Sequence, residues 1–236
     1  MNILQELENF INEFNTNNDE DFAIDTIRID FSKQHKKENL EQLGKWKKIN
    51  KNDKRIMDKL KRRLTADEVT SAYQLENHNI YYYNSNKDKP KYRIATMVIF
   101  GLKQYHKAPP PAEIINSILK IMQSSVKRGR NLLNIDICYD IKTIPNIEVL
   151  KKLYYLTDYK KQGSTFYIND TKILSIDRIC IYNKALKNGL DGILWRIEAT
   201  ISIPNYNYLA LPINEFIEII SLVKTNKSFQ RVEDGR

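Results

Sequence analysis

Apolar residues recur along the chain at two spacings, and each spacing predicts a different kind of element. Spacings of three and four residues predict amphipathic helices over 3–14, over 114–122, from 146 and over 214–224. Elsewhere apolar and polar residues alternate, which is typical of half-buried strands. These predicted strands are 23–31, 79–84, 91–101, 131–142, 163–169, 173–184 and 192–202.

The order of these elements indicates the fold class. Most neighbouring predicted strands are joined by short turns, which favours antiparallel pairing. We therefore expect an α+β fold, with helices packed on a largely antiparallel sheet, in a single domain over 1–236. The chain has only seven glycines and no phosphate-binding glycine motif, so we expect no ATP-driven or dinucleotide-dependent activity.

The positive charge of the chain is concentrated in one segment. The formal net charge is +9, and residues 33–63 contain thirteen Lys or Arg against four Asp or Glu. Apolar spacings of three and four within 33–77 predict a basic helical insertion. Such a patch is typical of DNA binding, although a solvated helix that only maintains solubility would show the same pattern. The candidate DNA-contacting residues are Lys45, Lys47, Lys48, Lys51, Lys54, Arg55, Lys59, Lys61, Arg62 and Arg63.

Membrane spans and disulfides have little support in the sequence. No apolar stretch reaches the roughly eighteen residues of a membrane span, and the N-terminal segment lacks a signal-peptide pattern. We therefore expect a cytoplasmic protein with no membrane partner. Cys138 and Cys180 lie in apolar strand-like runs, which favours small buried side chains over a disulfide or a metal site.

Three of the predicted strands carry polar residues on one face, because residues two apart share a face. The first strand groups Asp136, Cys138 and Asp140, the second groups Arg178, Cys180, Tyr182 and Lys184, and the third groups Arg196, Glu198 and Thr200. They fit the solvent face of an ordinary sheet. They also fit a shared site, provided that the three strands are neighbours.

These residue types suit phosphodiester chemistry. Carboxylate oxygens are preferred ligands of Mg²⁺ and Mn²⁺, which polarise a phosphodiester. A tyrosine hydroxyl can attack phosphorus and remain covalently attached. Lysine and arginine beside it would stabilise the phenolate, because an unassisted phenol has a pKa of about 10.

The order of the motifs resembles that of a known family. GSTFYI, DRICIYNKALKN and LWRIEATI follow NIDICYD and the early strand AIDTIRIDF. This order is similar to that of the replication-initiation factors of rolling-circle plasmids and related mobile elements. In that family a Gly-x-Thr-x-Tyr segment precedes an Arg-x-Tyr-x-Lys-like strand and an Arg-x-Glu strand. The resemblance covers 134–202 well and the N-terminal half in outline.

The resemblance implies a fold related to the HUH endonucleases and an enzyme that nicks and rejoins DNA. It would cut one strand of a single-stranded or hairpin replication origin with Mg²⁺ or Mn²⁺. A tyrosine would keep the 5′ phosphate, and a 3′ hydroxyl would remain for a polymerase. The implied nucleophile is Tyr182, with Tyr167 as its rival. The other implied site residues are Lys184, Arg178 and Arg196 at the phosphate and Asp136, Glu198 and Asp140 at the metal.

Three features depart from the family pattern. Asn183 stands where the family commonly has an acid, and Asn134 stands where it usually has Arg. The acid that the family usually has soon after the lysine is absent from ALKNGL. These departures fit a divergent enzyme or a non-catalytic DNA- or RNA-binding regulator. A metal-dependent nuclease or primase-like domain without a tyrosine adduct is a third hypothesis. A host helicase or polymerase and a second copy of the chain are candidate protein partners.

Overall fold

The chain divides into two compact units in the computed structural model. The first unit comprises Met1–Asn9, Ile24–Ile135 and Ser202–Pro204, and the second comprises Phe10–Ala23, Asp136–Ile201 and Asn205–Arg236. The structure describes residues 3–32, 40–61, 69–85, 94–103, 110–126, 133–149, 159–162, 165–169, 171, 176–203 and 210–224.

Antiparallel strands form the sheet of the first unit. Among the described residues they are β1 (Phe22–Ser32), β2 (Trp46–Lys48), β3 (Val69–Leu75), β4 (Ile80–Ser85) and β5 (Ile94–Phe100). Their order in the sheet is β2-β3-β4-β5-β1, and the neighbouring strands pair antiparallel. Helix α1 (Ile3–Asn18) precedes β1, helix α2 (Lys54–Lys61) follows β2, and helix α3 (Ala112–Val126) follows β5.

Helix α2 packs on one face of this sheet. Its residues Met57 and Leu60 are buried in one cluster with Ala72, Tyr81 and Tyr83 of the strands. The two helical residues are three apart, so they lie on the same side of the helix. Burial of a large apolar side chain stabilises a fold by about 1.5–3 kcal/mol, so this contact fixes the helix on the sheet.

The second unit contains a further group of strands. They are β6 (Leu133–Ile141), β7 (Tyr159–Gln162), β8 (Thr165–Ile168), β9 (Ile176–Asn183) and β10 (Trp195–Ile203), in the order β6-β10-β9-β8-β7. The pairs β10–β9, β9–β8 and β8–β7 are antiparallel. The short helix α4 (Lys184–Asn188) lies between β9 and β10, and helix α5 (Ala210–Lys224) follows β10.

An aromatic cluster of the second unit contains residues of α1, β1, β6 and α5, because Phe10–Ala23 belong to this unit. The ring centroid of Phe22 lies 4.6 Å from that of Tyr139 and 5.8 Å from those of Phe14 and Phe216. Phe14 belongs to α1 and Phe216 to α5, where it is fully buried. Aromatic pairs at such distances add about 0.5–1.5 kcal/mol to the gain from burial.

Most of the predicted elements agree with the structure, and the α+β prediction is confirmed. Helix α1 extends four residues beyond the predicted 3–14, and α5 begins four residues before 214. The short strand β7 was not predicted. The helix predicted from 146 is described only over 147–149, and the C-terminal residues 225–236 lie outside the described residues.

The segment 33–77 differs from the predicted helical insertion. It contains the strands β2 and β3, with α2 between them, so the prediction is right only for the middle of the segment. Trp46 pairs with Leu75 in the sheet, and its indole Nε1 donates to the Leu40 carbonyl at 2.7 Å. Leu40 is helical, Leu43 lies in a turn and Trp46 begins β2, so the spacing of three from Leu40 to Ile49 does not come from one continuous helix. Residues 33–39 and 62–68 lie outside the described residues.

Three other expectations concern membranes, cysteines and domains. Among the described residues, no helix is long and apolar enough to cross a membrane. Cys138 and Cys180 are buried free thiols, as predicted. The assignment of 1–236 to a single catalytic domain stays a prediction.

Candidate active site

The polar residues of β9 and β10 share one face of the second unit. Tyr182 pairs with Arg196 and Cys180 with Glu198 in the antiparallel register. Paired residues on neighbouring strands point to the same side of a sheet. The predicted face is therefore formed, and these four side chains are buried rather than exposed to solvent.

A direct hydrogen bond joins Tyr182 to Glu198. The Tyr182 hydroxyl donates to Glu198 Oε1 at 2.7 Å, and the two residues are 6% and 9% exposed. Arg196 Nη1 lies 4.0 Å from the same carboxylate oxygen. The tyrosine hydroxyl, a proton acceptor and a guanidinium therefore lie together at one point of the site.

Asp140 of β6 holds two cations next to this pair. Arg196 binds its carboxylate in a bidentate manner, with Nε 2.6 Å from Oδ1 and Nη2 2.8 Å from Oδ2. Lys184 Nζ lies 3.3 Å from Oδ2. Burial and the nearby Arg196 guanidinium lower the pKa of Lys184, and the Asp140 carboxylate opposes this only in part. Asp140, predicted as a metal ligand, is the centre of an ion-pair network.

Lys184 occupies a different element from the predicted one. Strand β9 ends at Asn183, and Lys184 is the first residue of helix α4. The Asn183 side chain caps this helix, because its Oδ1 accepts from the Leu186 amide at 2.8 Å. The prediction that Lys184 continues the alternation of β9 is therefore wrong. Helix α4 nevertheless places its ammonium group beside Asp140.

Asp136 has a different partner on the same side. Thr200 Oγ1 donates to Asp136 Oδ1 at 2.7 Å, and Asp136 is 1% exposed. Asp136 and Asp140 are four residues apart on one strand, so their Cα atoms are roughly 13 Å apart. The two aspartates therefore occupy separate positions along the strand. The sequence placed Thr200 on this face without giving it a role.

The predicted metal ligands do not gather into one group. Among the described residues, no three or more His, Cys, Asp or Glu side chains are arranged to hold a metal ion. Glu198 is bonded to Tyr182, Asp140 to two cations and Asp136 to Thr200. Asp136 and Glu198, with Asp140 as the weaker candidate, therefore stay predicted rather than observed metal ligands. Dependence on Mg²⁺ or Mn²⁺ stays a prediction.

The rival nucleophile Tyr167 lies on the same face, one strand farther from Glu198. Tyr167 of β8 pairs with Cys180 of β9. The Arg178 guanidinium carbon lies 6.0 Å from the centroid of the Tyr167 ring, within the range of a cation–π contact. Both residues are half-buried. Arg178 is thus near Tyr167, whereas Arg196 and Lys184 belong to the network around Tyr182.

The predicted DNA-contacting residues belong to the first unit. Those whose side chains are described are all exposed: Lys45, Lys47, Lys48, Lys51, Lys54, Arg55 and Lys59. Lys59 Nζ also lies 4.0 Å from the ring centroid of Phe100 and 5.6 Å from that of Tyr81. The Lys61 side chain, Arg62 and Arg63 lie outside the described part of the chain.

A polar cluster that no sequence pattern predicts is formed by Glu20, Tyr139 and Lys224. Tyr139 donates its hydroxyl to Glu20 Oε2, and Lys224 Nζ lies 2.8 and 2.7 Å from the two oxygens of Glu20. Burial favours the neutral form of Glu20, but the hydrogen bonds from Lys224 and Tyr139 outweigh it and lower its pKa. Tyr139 lies on the apolar side of β6, so its alternation pattern could not reveal this contact.

Comparisons with known proteins give one structural likeness. No family model matches the chain, and no curated protein matches its sequence. Among solved structures, the chain is similar to the rolling circle replication initiator protein from Geobacillus stearothermophilus, with a TM-score of 0.48. The identity is 9%, and the alignment covers 89% of each chain.

Proposed function

We propose that this chain nicks and rejoins one strand of DNA at a replication origin, through a covalent bond between Tyr182 and a 5′ phosphate. The observation that carries the proposal is the 2.7 Å hydrogen bond from the Tyr182 hydroxyl to Glu198. A phenol becomes an effective nucleophile when a base accepts its proton and cations stabilise the phenolate. The motif order favours initiation of rolling-circle replication, or mobilisation of a genetic element, as the role of this reaction.

The proposed cleavage is a transfer of one phosphoryl group. The Tyr182 proton passes to Glu198 as the phenol oxygen bonds to phosphorus. The bond between phosphorus and the 3′ oxygen breaks, and its electron pair leaves with that oxygen, which takes a proton from water. The products are a 5′-phosphotyrosine and a free 3′ hydroxyl that a polymerase can extend. Attack of a 3′ hydroxyl on the phosphotyrosine reverses these steps and rejoins the strand.

Arg196 and Lys184 would stabilise the negative charge of the reacting phosphate. Both are held by Asp140 before DNA binds, so little rearrangement is needed when charge develops. In their ionised forms, Arg196 and Lys184 carry two positive charges, and Asp140 and Glu198 carry two negative charges. The two cations would therefore also share the negative charge of an approaching phosphate. No step in this proposal depends on a metal ion, and the experiment below tests the predicted requirement for one.

The basic residues of the first unit would bind origin DNA. Exposed lysine and arginine side chains neutralise phosphates regardless of sequence, and this makes affinity fall steeply as salt rises. Lys54 and Arg55 of α2 are exposed and belong to the segment with the concentrated positive charge. Binding by this segment would bring DNA to the chain before any cleavage occurs.

A second candidate function is that of a DNA-binding regulator that does not cut. The burial of Tyr182 favours it, because only 6% of the residue is exposed and Lys187 Nζ lies 4.1 Å from the centroid of its ring. A phosphate must reach the hydroxyl before the tyrosine can react. In a regulator the same hydrogen bond would serve only to stabilise the fold.

A covalent-capture assay separates these functions. Pools of single-stranded and hairpin oligonucleotides, labelled at the 3′ end in one set and at the 5′ end in another, are incubated with the full chain and resolved in SDS. We expect an SDS-resistant adduct that carries only the 3′ label, because the tyrosine keeps the 5′ phosphate of the downstream fragment. Parallel reactions contain Mg²⁺, Mn²⁺ or a chelator.

The variants Tyr182→Phe and Tyr167→Phe form a matched pair for this assay. We expect the first to lose the adduct and the second to keep it. Loss of the adduct only in Tyr167→Phe would overturn the assignment of the nucleophile. Cleavage without any adduct would favour a metal-dependent nuclease or primase-like domain. Salt-sensitive binding with neither cleavage nor adduct would favour the regulator.

A further inference from the structure

Two tyrosines and a lysine form a row across three strands of the first unit. Lys48 of β2 pairs with Tyr73 of β3, and Tyr73 pairs with Tyr82 of β4. Residues paired in this way point to the same side of the sheet. The two ring centroids are 6.4 Å apart, with an angle of 39° between the ring planes. The tyrosines are half-buried and the lysine is exposed.

This row lies on the face that α2 does not cover. The residues packed with α2 are Ala72, Tyr81 and Tyr83, which alternate with Tyr73 and Tyr82 along the same strands. The cluster with α2 therefore belongs to the opposite face. On the face of the row, the neighbouring Leu75 and Met97 are buried, whereas Tyr73 and Tyr82 keep part of their surface exposed.

The residues around the row favour an anionic partner. Residues 45–52 contain four lysines and no acid, and those lysines are exposed. A second copy of this chain would bring like charges together, whereas a phosphate backbone would bring opposite charges. Half-buried aromatic rings add a second requirement, because their partner must offer flat apolar surfaces beside its phosphates.

Single-stranded DNA meets both requirements. Its bases expose their faces for stacking on aromatic side chains, whereas the bases of a duplex are already stacked on each other. We propose that Tyr73 and Tyr82 form a base-stacking site for single-stranded DNA, with Lys48 binding an adjoining phosphate. The choice of DNA rests on the proposed function, but the site is separate from Tyr182 and needs no cleavage.

The proposal predicts that the protein binds a strand with bases more tightly than a strand that has only the sugar-phosphate backbone. Binding of the full chain to fluorescent oligothymidine is compared with binding to an abasic oligonucleotide of the same length and charge. We expect the abasic strand to bind about ten-fold or more weakly, since one stacked base contributes roughly five- to 150-fold to affinity. Equal binding of the two strands by the unchanged protein would overturn the proposal.

Paired substitutions test whether the rings of Tyr73 and Tyr82 cause this preference for bases. Tyr73→Phe and Tyr82→Phe retain a ring and should keep the preference for bases. Tyr73→Leu and Tyr82→Leu retain apolar bulk without the ring, and each should reduce the preference by about five-fold or more. Urea unfolding of every variant checks that the sheet is intact, and leucine variants that fold and keep the full preference would contradict the site. Lys48→Ala should weaken binding to both strands equally and reduce the salt slope by about 0.7.

Two further arms test the identity of the ligand. A duplex of the same sequence should bind without any effect of the leucine substitutions, and an equal effect on the duplex would overturn base stacking. Tighter binding of an RNA strand would overturn the assignment to DNA.

A protein that forms no adduct but prefers bases would refute only the proposed function. A protein that forms the adduct without this preference would refute only the stacking site.

Discussion

Tyr182 and Glu198 are joined by a 2.7 Å hydrogen bond between neighbouring strands, where both side chains are almost completely buried. They are not direct partners in the register, because Tyr182 lies opposite Arg196 and Glu198 lies opposite Cys180. The bond is therefore diagonal across the pair of strands. Such a contact depends on the side-chain length of both residues as well as on strand pairing.

This bond should contribute to folding as well as to chemistry. Tyr182→Phe removes the hydroxyl that donates to the buried Glu198 carboxylate, so we expect a loss of about 1–3 kcal/mol in the free energy of unfolding. Urea denaturation of Tyr182→Phe, of Glu198→Ala and of the double variant Tyr182→Phe/Glu198→Ala completes a double-mutant cycle. We expect a coupling energy of about 1 kcal/mol or more. Additive losses in the cycle would show that the bond contributes nothing to stability.

Removal of the Asp140 charge should destabilise the second unit. Asp140→Asn keeps the shape but leaves two cations near an uncharged group, and breaking a buried ion pair costs about 3–5 kcal/mol. Asp191→Asn, an exposed position between α4 and β10, is the matched control and should cost less than about 0.5 kcal/mol. The measurement is the urea midpoint of each variant.

A second substitution separates charge from packing at the same place. In Asp140→Asn/Arg196→Gln both members of the bidentate pair are neutral, so the loss should be smaller than the sum of the two single losses. Losses that add would mean that Asp140 and Arg196 act independently, contrary to the contacts of 2.6 and 2.8 Å between them.

The sequence predicted the polar face of β9 and β10 but not its partners. Alternation along a strand depends only on backbone geometry, so Arg178, Tyr182 and Glu198 could be assigned to a face from spacing alone. The pairing of Asp140 with Arg196 depends on β6 lying beside β10, which no local pattern contains. For the same reason the partners of Asp136 and Asp140 could not be predicted from spacing alone.

Two other differences between the sequence predictions and the structure also have physical causes. Strand β2 is only three residues long, so the spacing of three that runs through Trp46 imitates a helix although it spans a turn and a strand. Tyr139 bonds with Glu20, which is 119 residues away in the sequence, and Lys224 is 204 residues from Glu20. Contacts at such separations arise from packing and leave no signal in either segment.

The Glu20 cluster should give a stability that depends on pH. Burial alone would raise the pKa of Glu20, but the hydrogen bonds with Lys224 and Tyr139 hold it below its ordinary value in the folded chain. The contribution of Glu20 to stability is therefore present above the ordinary pKa and is lost as pH falls through the folded pKa. Glu20→Gln should cost about 1 kcal/mol at pH 7, since the pair is partly exposed. The difference in the free energy of unfolding between Glu20→Gln and the unchanged protein should be smaller at acidic pH.

Urea denaturation at about pH 7 and about pH 3 measures this effect. Glu13→Gln, at an exposed position of α1, is the control and should behave like the unchanged protein at both values. Burial lowers the pKa of Lys224, but its hydrogen bonds with Glu20 and Tyr139 outweigh this and raise it above the ordinary value. Lys224 is therefore protonated at both pH values, and its own titration does not affect the comparison. A constant difference between Glu20→Gln and the unchanged protein would contradict the assignment.

The cap at Asn183 should stabilise helix α4 and thereby the position of Lys184. Asn183→Ala removes the acceptor of the Leu186 amide and should cost about 1 kcal/mol, with faster hydrogen exchange at that amide. Asn183→Asp restores the acid that is common in the resembled family and can still accept the bond. We therefore expect near-normal stability for Asn183→Asp, and equal losses in the two variants would refute the capping role.

Two lysines of α2 should separate DNA binding from stability. Lys59 Nζ lies 4.0 Å from the centroid of the Phe100 ring, so Lys59→Met should cost about 0.5–1 kcal/mol in urea unfolding. Lys54 lies at the first turn of the same helix and is exposed, so Lys54→Met should leave stability nearly unchanged. If both lysines contact phosphates, each variant should reduce the slope of log affinity against log salt by about 0.7 to 0.9, measured by anisotropy. An unchanged slope in both variants would exclude α2 from the DNA-binding surface, whatever their stability.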